Sequence, residues 1–363
     1  LAGGDRVAAY SDYRKLIEDK NVDAVIVATN QHWHVLPAIA ACRAGKDVYV
    51  EKPLGNSIGE GPFLIEAARK YARIVQVGTQ QRSQQHYREA VELIHAGKLG
   101  EISEVRVWDY ENYWPGAGSP PDCAPPAELD WDFYVGPSPY RAYNPNVYYN
   151  YGYDWFRVSG GGHQVAWGVH HFDVVLWAMG VTSPRTVYAT GGNYGYEDNH
   201  DYPNTFTATM EFGPGPVAKR GFVLNYTMRT GGRRETRSHG KYFVGTAASM
   251  TLSRAGYSIV PELRKGQFAD STRFLVNQEE TVLPQKDENR HFEVFLNNIR
   301  ARKQPEANPV TCHHATAVGH LMNISWEVGR SIRWDGERNQ VLDDPKANAL
   351  VTKPYRAPWK LKV

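Results

Sequence analysis

The run Val22-Asp23-Ala24-Val25-Ile26-Val27-Ala28-Thr29 constrains the fold more than any other segment. A short β-branched apolar stretch of this kind reads as a central parallel strand, buried on both faces. Such a strand needs helices above and below it. The next residues supply one, because Val35, Leu36, Ile39, Ala40 and Cys42 recur at mixed helical spacing within residues 32–44 and Gly45 closes the segment. Residues 47–50 then return as a strand. A second unit repeats the pattern, with a helix over 58–71 and a strand over 74–78, and a further helix over 84–96 ends at Gly97. Alternating strands and helices are the mark of a doubly wound parallel α/β sheet.

After Gly97 the pattern changes. Residues 102–108 alternate as a strand, and residues 113–153 are rich in Pro, Gly, Asn and Tyr with little periodicity. Trp114, Trp131, Tyr148, Tyr149, Tyr151 and Tyr153 in that stretch read mainly as a satellite core. Segments 185–190, 205–212, 221–226, 241–245 and 249–253 alternate or run apolar between Gly, Pro and Asn signals, as the strands of a broad sheet do. Helices are expected over 288–301 and 315–332. The tail 354–362, with Trp359 as its anchor, reads as an arm lying across the body. The expected division is therefore 1–100, 101–332 and a C-terminal arm 333–363.

With 363 residues, 42% of them hydrophobic, the chain has enough apolar material for two cores. Its formal charge of +2 and lack of a basic tract argue against a nucleic-acid partner. An apolar stretch of about twenty residues, which a membrane span requires, is missing. Cys42, Cys123 and Cys312 lie too far apart for a metal or redox motif, and reduced thiols fit the cytoplasm. A lost export signal would place the protein in the periplasm instead. His32-x-His34 and His313-His314 lack a carboxylate at ligand spacing, so no metal is expected.

Chemistry concentrates where strand 47–50 opens into a loop, at Glu51-Lys52-Pro53. In an open parallel sheet, ligands sit beyond the carboxyl ends of the strands, within reach of a side chain such as Lys52. A solvated loop lysine is the alternative. Asp154, Trp155 and Arg157, just before Gly160-Gly161-Gly162, are candidate substrate contacts.

Ala28-Thr29-Asn30-Gln31-His32-Trp33-His34, Ala44-Gly45-Lys46-Asp47-Val48, Glu51-Lys52-Pro53, the triple glycine, Trp167-Gly168-Val169-His170-His171-Phe172-Asp173 and the terminal Asp343-Asp344-Pro345-Lys346-Ala347-Asn348-Ala349 together resemble the Gfo/Idh/MocA oxidoreductases. The resemblance implies a Rossmann domain for NAD or NADP, here incomplete. It also implies a following α/β domain with a large, mostly antiparallel sheet that helps form the substrate pocket and a homo-oligomer interface. The expected substrate is a small sugar or polyol.

By the same resemblance Lys52 and His170 are catalytic, with His171 as second choice for the histidine and as a substrate contact. His170 removes a hydroxyl proton while Lys52 orients the hydroxyl, and hydride leaves for nicotinamide. Thr29, Asn30, His32, Glu51, Lys52, Gln80 and Arg82 match cofactor-proximal positions. A histidine near a helix start that simply bonds a carbonyl is the alternative for His170. Many members place an aspartate four residues before the catalytic histidine, where this chain has Ala166. Gln164, His163 and Asp173 are the candidates to replace it.

No Gly-x-Gly-x-x-Gly occurs in the chain, and Leu1 opens it. It therefore reads as an N-terminally truncated member that leaves the edge of residues 23–28 uncovered, binds a dinucleotide poorly, and is inactive or impaired. Three functions follow from the resemblance. They are an NAD(P)-dependent sugar dehydrogenase, an NAD-dependent glycoside hydrolase acting by oxidation and elimination, and a non-enzymatic carbohydrate-binding module.

Overall fold

The computed structural model describes residues 8–113, 115–148, 152–232, 237–262, 280–284 and 290–363. Trp114, Tyr149 and Tyr151 of the expected aromatic core lie outside the described residues. The first sheet is parallel, ordered β1 (Ala24–Val27), β2 (Asp47–Val50), β3 (Val75–Val77). Val48, Val50, Val75 and Val77 are fully buried, as apolar strands between two layers must be. The helices Val35–Arg43 and Gly61–Lys70 belong to one layer. The other comes from far along the chain, where the helix Arg290–Ala301 sets Phe292 and Phe295 against Tyr49 at 4.8 and 5.8 Å between ring centroids.

That second layer is narrow. It covers Tyr49 and Ile74 and leaves Ile26, on the same face of β1, 60% exposed. The expectation that β1 is buried on both faces therefore fails at Ile26.

Among the described residues the second sheet has ten strands. In chain order they are β4 (Ile102–Glu111), β5 (Thr186–Gly192), β6 (Thr205–Phe212), β7 (Phe222–Thr230), β8 (His239–Gly245), β9 (Ala248–Ser253), β10 (Gly256–Pro261), β11 (Glu280–Val282), β12 (Ile332–Asp335) and β13 (Gln340–Leu342). Their spatial order is β11-β10-β9-β8-β4-β7-β6-β5-β12-β13. Only β4 and β7 pair in parallel; the other neighbours are antiparallel. One face packs on the helices Gly168–Met179 and Pro309–Val328, while the other carries polar pairs such as Asn225 with Glu104.

The helix expected over 315–332 begins earlier, at Pro309. The Asn308 side chain accepts from the N–H groups of Val310 and Thr311 at 2.9 and 3.2 Å and starts it there. It stops at Gly329 in the left-handed conformation, and Ile332 opens β12 instead. His313 and His314 consequently lie inside the helix. The segment expected as an arm from 333 begins instead with strands at Ile332–Asp335 and Gln340–Leu342, and beyond them Trp359 lies edge-on to Trp33 at 4.8 Å.

Phe243 on β8 is wholly buried among the strands around β4. Phe243→Ala is expected to lower unfolding free energy by about 3–5 kcal/mol, read as a shifted urea midpoint with unchanged slope.

Candidate active site

Lys52 leaves the carboxyl end of β2 and donates from Nζ to the carbonyl of Ala166, 3.0 Å away. That carbonyl is free because the helix is broken. The segments His163–Ala166 and Gly168–Met179 are separated at Trp167, and the His170 N–H turns to the Trp167 carbonyl at 3.1 Å. In an unbroken helix the same N–H would take the Ala166 oxygen. The triple glycine permits the approach, since a Cβ at Gly160 would lie 2.5 Å from the Asp154 carbonyl oxygen. The Gly162 N–H donates to that oxygen at 2.7 Å.

Lys52, Ala166 and Trp167 line a cavity of about 550 Å³ with Tyr113, Tyr153, Asp154, Trp155, His163, Tyr196 and His200. Four rings stack along its wall. Trp167 and His163 are 6.1 Å apart, His163 and Trp155 5.7 Å, and Trp155 and His200 5.3 Å, all within 9° of parallel. Tyr113 meets both Trp155 and His163 edge-on. Asp154 accepts from Gln31 Nε2 at 2.5 Å. Burial raises its carboxyl above the ordinary range, against the pull of the Lys52 charge and the Gln31 bond.

His163 Nε2 lies 2.8 Å from Oδ2 of Asp109, which β4 holds fully buried. Burial opposes charge on this imidazole. The Asp109 carboxylate, then Asp154 and Glu111, outweigh burial and raise the ring above its usual value. Flanking indoles add a further attraction for the cationic form. A raised folded-state pKa means that this pair stabilises the fold fully below about pH 6.5, the unperturbed value, and loses its contribution as pH rises through the folded value.

Of the three candidates to replace the carboxylate missing at Ala166, only His163 reaches the cavity wall. Gln164 is fully buried and donates to Asn323 Oδ1 at 2.6 Å. Asp173 is held by Arg82, whose Nε lies 2.9 Å from each carboxylate oxygen. Asp109 escaped the sequence reading although its signal was there, as the third inward position in the alternation Val105, Val107, Asp109.

The remaining sequence candidates divide. Lys52, Asp154 and Trp155 share the cavity. Thr29 is exposed and Asn30, Glu51 and Gln80 are half-buried, all on the loops beyond β1, β2 and β3. Five other candidates lie outside that cavity lining. Arg82 is turned inward to Asp173 and covers the Trp177 ring at 5.1 Å. His32 faces the carbonyls of Tyr134 and Ser159, at 2.8 and 3.4 Å, with both ring nitrogens, and burial pushes it down to about 4. Arg157 pairs with Glu327 and lines a different cavity, together with Arg141 and Lys353. His170 and His171 are 2% and 0% exposed and lie outside the residues that line the Lys52 cavity.

Parallel strands ending at a half-buried lysine beside a cavity are the layout of an α/β fold of the nucleotide-binding kind. Residues 2–79 match the family profile described as "Oxidoreductase family, NAD-binding Rossmann fold", and residues 267–361 match "Oxidoreductase family, C-terminal alpha/beta domain". The chain belongs to this Gfo/Idh/MocA oxidoreductase family. The inositol 2-dehydrogenase of Salmonella typhimurium (strain LT2) is 37% identical over 93 residues, 25% of this chain and 28% of that protein. The myo-inositol 2-dehydrogenase of Thermotoga maritima is 33% identical over 99 residues, 27% of this chain and 30% of that one. The matched stretch thus spans less than a third of either relative. A levoglucosan dehydrogenase solved with NADH and levoglucosan shares the fold, with TM-score 0.65, 18% identity, and coverage of 89% of this chain and 83% of that one. Among the described residues no helix is long and apolar enough to cross a membrane, and no cluster of three or more His, Cys, Asp or Glu is arranged to hold a metal.

Asp109→Asn removes the charge that lifts His163 and keeps the shape of its partner. The imidazole pKa, read from the pH dependence of its carbon-bound proton resonances, is expected to fall. The stability lost on raising pH above about 6.5 should shrink with it.

Proposed function

We infer that the chain is a dehydrogenase that removes hydride from a hydroxyl-bearing carbon of a sugar or polyol, with NAD or NADP as acceptor. The observation that carries this is Lys52, standing at the carboxyl end of a parallel strand and facing a sugar-sized cavity walled by Tyr113, Trp155 and Trp167. A sugar ring presents C–H faces to aromatic planes and hydroxyls to the polar groups between them, and the wall offers both. Relatives named for inositol, and a structural neighbour solved with levoglucosan, support a polyhydroxylated ring as the substrate class. The residues fit the dinucleotide at its nicotinamide end. Thr29 and Asn30 are open to a ligand there, and Gly78 lets Glu51 close on the backbone, since a Cβ would meet its carboxylate at 2.7 Å. A bound nicotinamide would supply the hydride acceptor.

The chain's own groups do the rest. Lys52, with one N–H on Ala166, has two left to hold and polarise the reacting hydroxyl. His163 takes its proton, and buried Asp109 balances the imidazolium that forms. Asp154 accepts from a neighbouring hydroxyl. His163, in this reading, replaces the expected His170 as base, because it shares a cavity wall with Lys52.

The test is formation of reduced nicotinamide, followed by its near-ultraviolet absorbance, with NAD and NADP against a panel of inositols and aldoses. Lys52→Met is expected to lower kcat/KM by roughly 100- to 10,000-fold. Failure of every polyol to yield reduced cofactor sinks the reading. A base must be neutral to accept a proton, so oxidation should accelerate as pH rises through the His163 value. In Asp109→Asn that rise should move to lower pH, and a profile that ignores the substitution excludes His163 as the base.

A further inference from the structure

The wall of the Lys52 cavity repeats one unit. Trp167 stands beside His163, whose Nε2 lies 2.8 Å from the buried carboxylate of Asp109, and Trp155 stands beside His200, whose Nδ1 lies 2.9 Å from the buried carboxylate of Asp198. Trp155 also stacks on His163 at 5.7 Å, so indole and imidazole alternate along the wall. The first unit stands next to the Lys52 contact with Ala166 and handles the proton; His200 and Asp198 have no part in that chemistry.

His200 is nevertheless held as an imidazole meant for a ligand is held. Asp198 faces its Nδ1 with one oxygen and accepts from its backbone N–H at 3.1 Å with the other. Trp155 lies parallel to the ring at 5.3 Å, and fully buried Phe156 meets it edge-on at 5.4 Å. With Nδ1 turned to the carboxylate, Nε2 is the nitrogen left over, and it is buried with no hydrogen-bond partner among the described residues. A polar atom left in that state is costly, and a hydroxyl arriving in the cavity would satisfy it. Asn146, another lining residue, donates to Asn199 Oδ1 at 2.8 Å and to the Ala117 carbonyl at 3.3 Å, which fixes this end of the cavity around His200.

We propose that Trp155, His200 and Asp198 form a second sugar subsite beside the ring that reacts, and that the substrate is a glycoside of two polyhydroxylated rings. The proposal rests on the reading of the Lys52 cavity as a sugar site and narrows its substrate class. Size agrees with it. The cavity of about 550 Å³ falls within the range of about 300–1,000 Å³ that encloses drug-sized ligands, and one hexose or inositol is smaller than those. Length agrees as well, because three centroid spacings, each about the width of a pyranose ring, follow one another along the wall. Lys52 stands at the Trp167 end, so the ring seated there loses hydride and the ring at Trp155 and His200 is only held. Binding of that second ring would orient the first against Lys52 and His163.

Calorimetric titration of the full chain with glucose, galactose, myo-inositol, maltose, cellobiose, lactose and galactinol tests the subsite without any cofactor. At least one two-ring sugar should bind about ten-fold or more tightly than the single rings that compose it, the gain expected of one or two further hydrogen bonds. His200→Leu should cost that sugar about ten-fold and its single rings less. His200→Gln, which returns an amide to the neighbourhood of Nε2, should recover the larger part, and thermal melts establish that both variants fold. The preference of the unsubstituted chain is read independently of either variant. Two-ring sugars no tighter than single rings overturn the subsite, as do equal losses in His200→Leu and His200→Gln, or binding of none of these probes. A preferred two-ring sugar that yields no reduced nicotinamide leaves the subsite standing and removes the dehydrogenase reading. Oxidation of single rings with no two-ring preference does the reverse.

Discussion

The contact between Lys52 Nζ and the Ala166 carbonyl ties the parallel sheet to the helical layer of the second sheet, and the arrangement of the site follows from it. It requires a carbonyl with no helical donor, which requires the break at Trp167. The break in turn lets the indole leave the helix surface and enter a stack of rings. A continuous helix through residues 163–179 would spend the Ala166 oxygen on His170 and leave the lysine without an anchor. One missing intrahelical bond thus sets the position of an ammonium, an indole and the imidazole of His163.

Trp167 also divides the electrostatics. On the cavity side Asp109, Asp154 and Glu111 act on His163, and the imidazole is drawn toward its charged form despite burial. At His170, burial first and then the Lys52, Arg254 and Lys241 charges drive the same kind of ring toward neutrality. Two histidines seven positions apart in one interrupted helix therefore serve opposite purposes. Environment rather than residue type assigns the roles, as it does wherever paired titratable groups have their pKa values pushed apart.

Much of the framework was legible in the sequence, because strands buried between two layers must be continuous and apolar. β2 lies where its residues predict, and the alternation of β6 sets both its ends. The terminal strands β12 and β13 were not legible. They are three or four residues long and close on each other antiparallel, and such short runs carry too little periodicity to separate from loop. At the site, Lys52, Asp154 and Trp155 were readable from position alone, since strand ends and glycine turns face clefts. Arg82 was not, because a residue one turn past a strand can point out to a ligand or back to a carboxylate, and only the fold brings Asp173 to it.

Two of the buried acid–base pairs, Arg82 with Asp173 and His163 with Asp109, show why such a distinction escapes sequence. Arg82 and Asp173 are joined by two 2.9 Å contacts from one nitrogen, the guanidinium lies against the Trp177 ring, and both side chains are buried away from any ligand in the Lys52 cavity. Removing either partner would strand the other, which makes the pair a structural lock. His163 and Asp109 are joined through one imidazole nitrogen only, with the ring itself on a cavity wall. An imidazole tethered at one nitrogen keeps the other for a substrate, and its carboxylate partner is sealed behind it where water cannot screen the charge. The lock is buried on all sides, whereas the His163 ring lines a cavity. That difference in access, read from geometry, is what makes His163, rather than Arg82 or Asp173, the group proposed to move a proton.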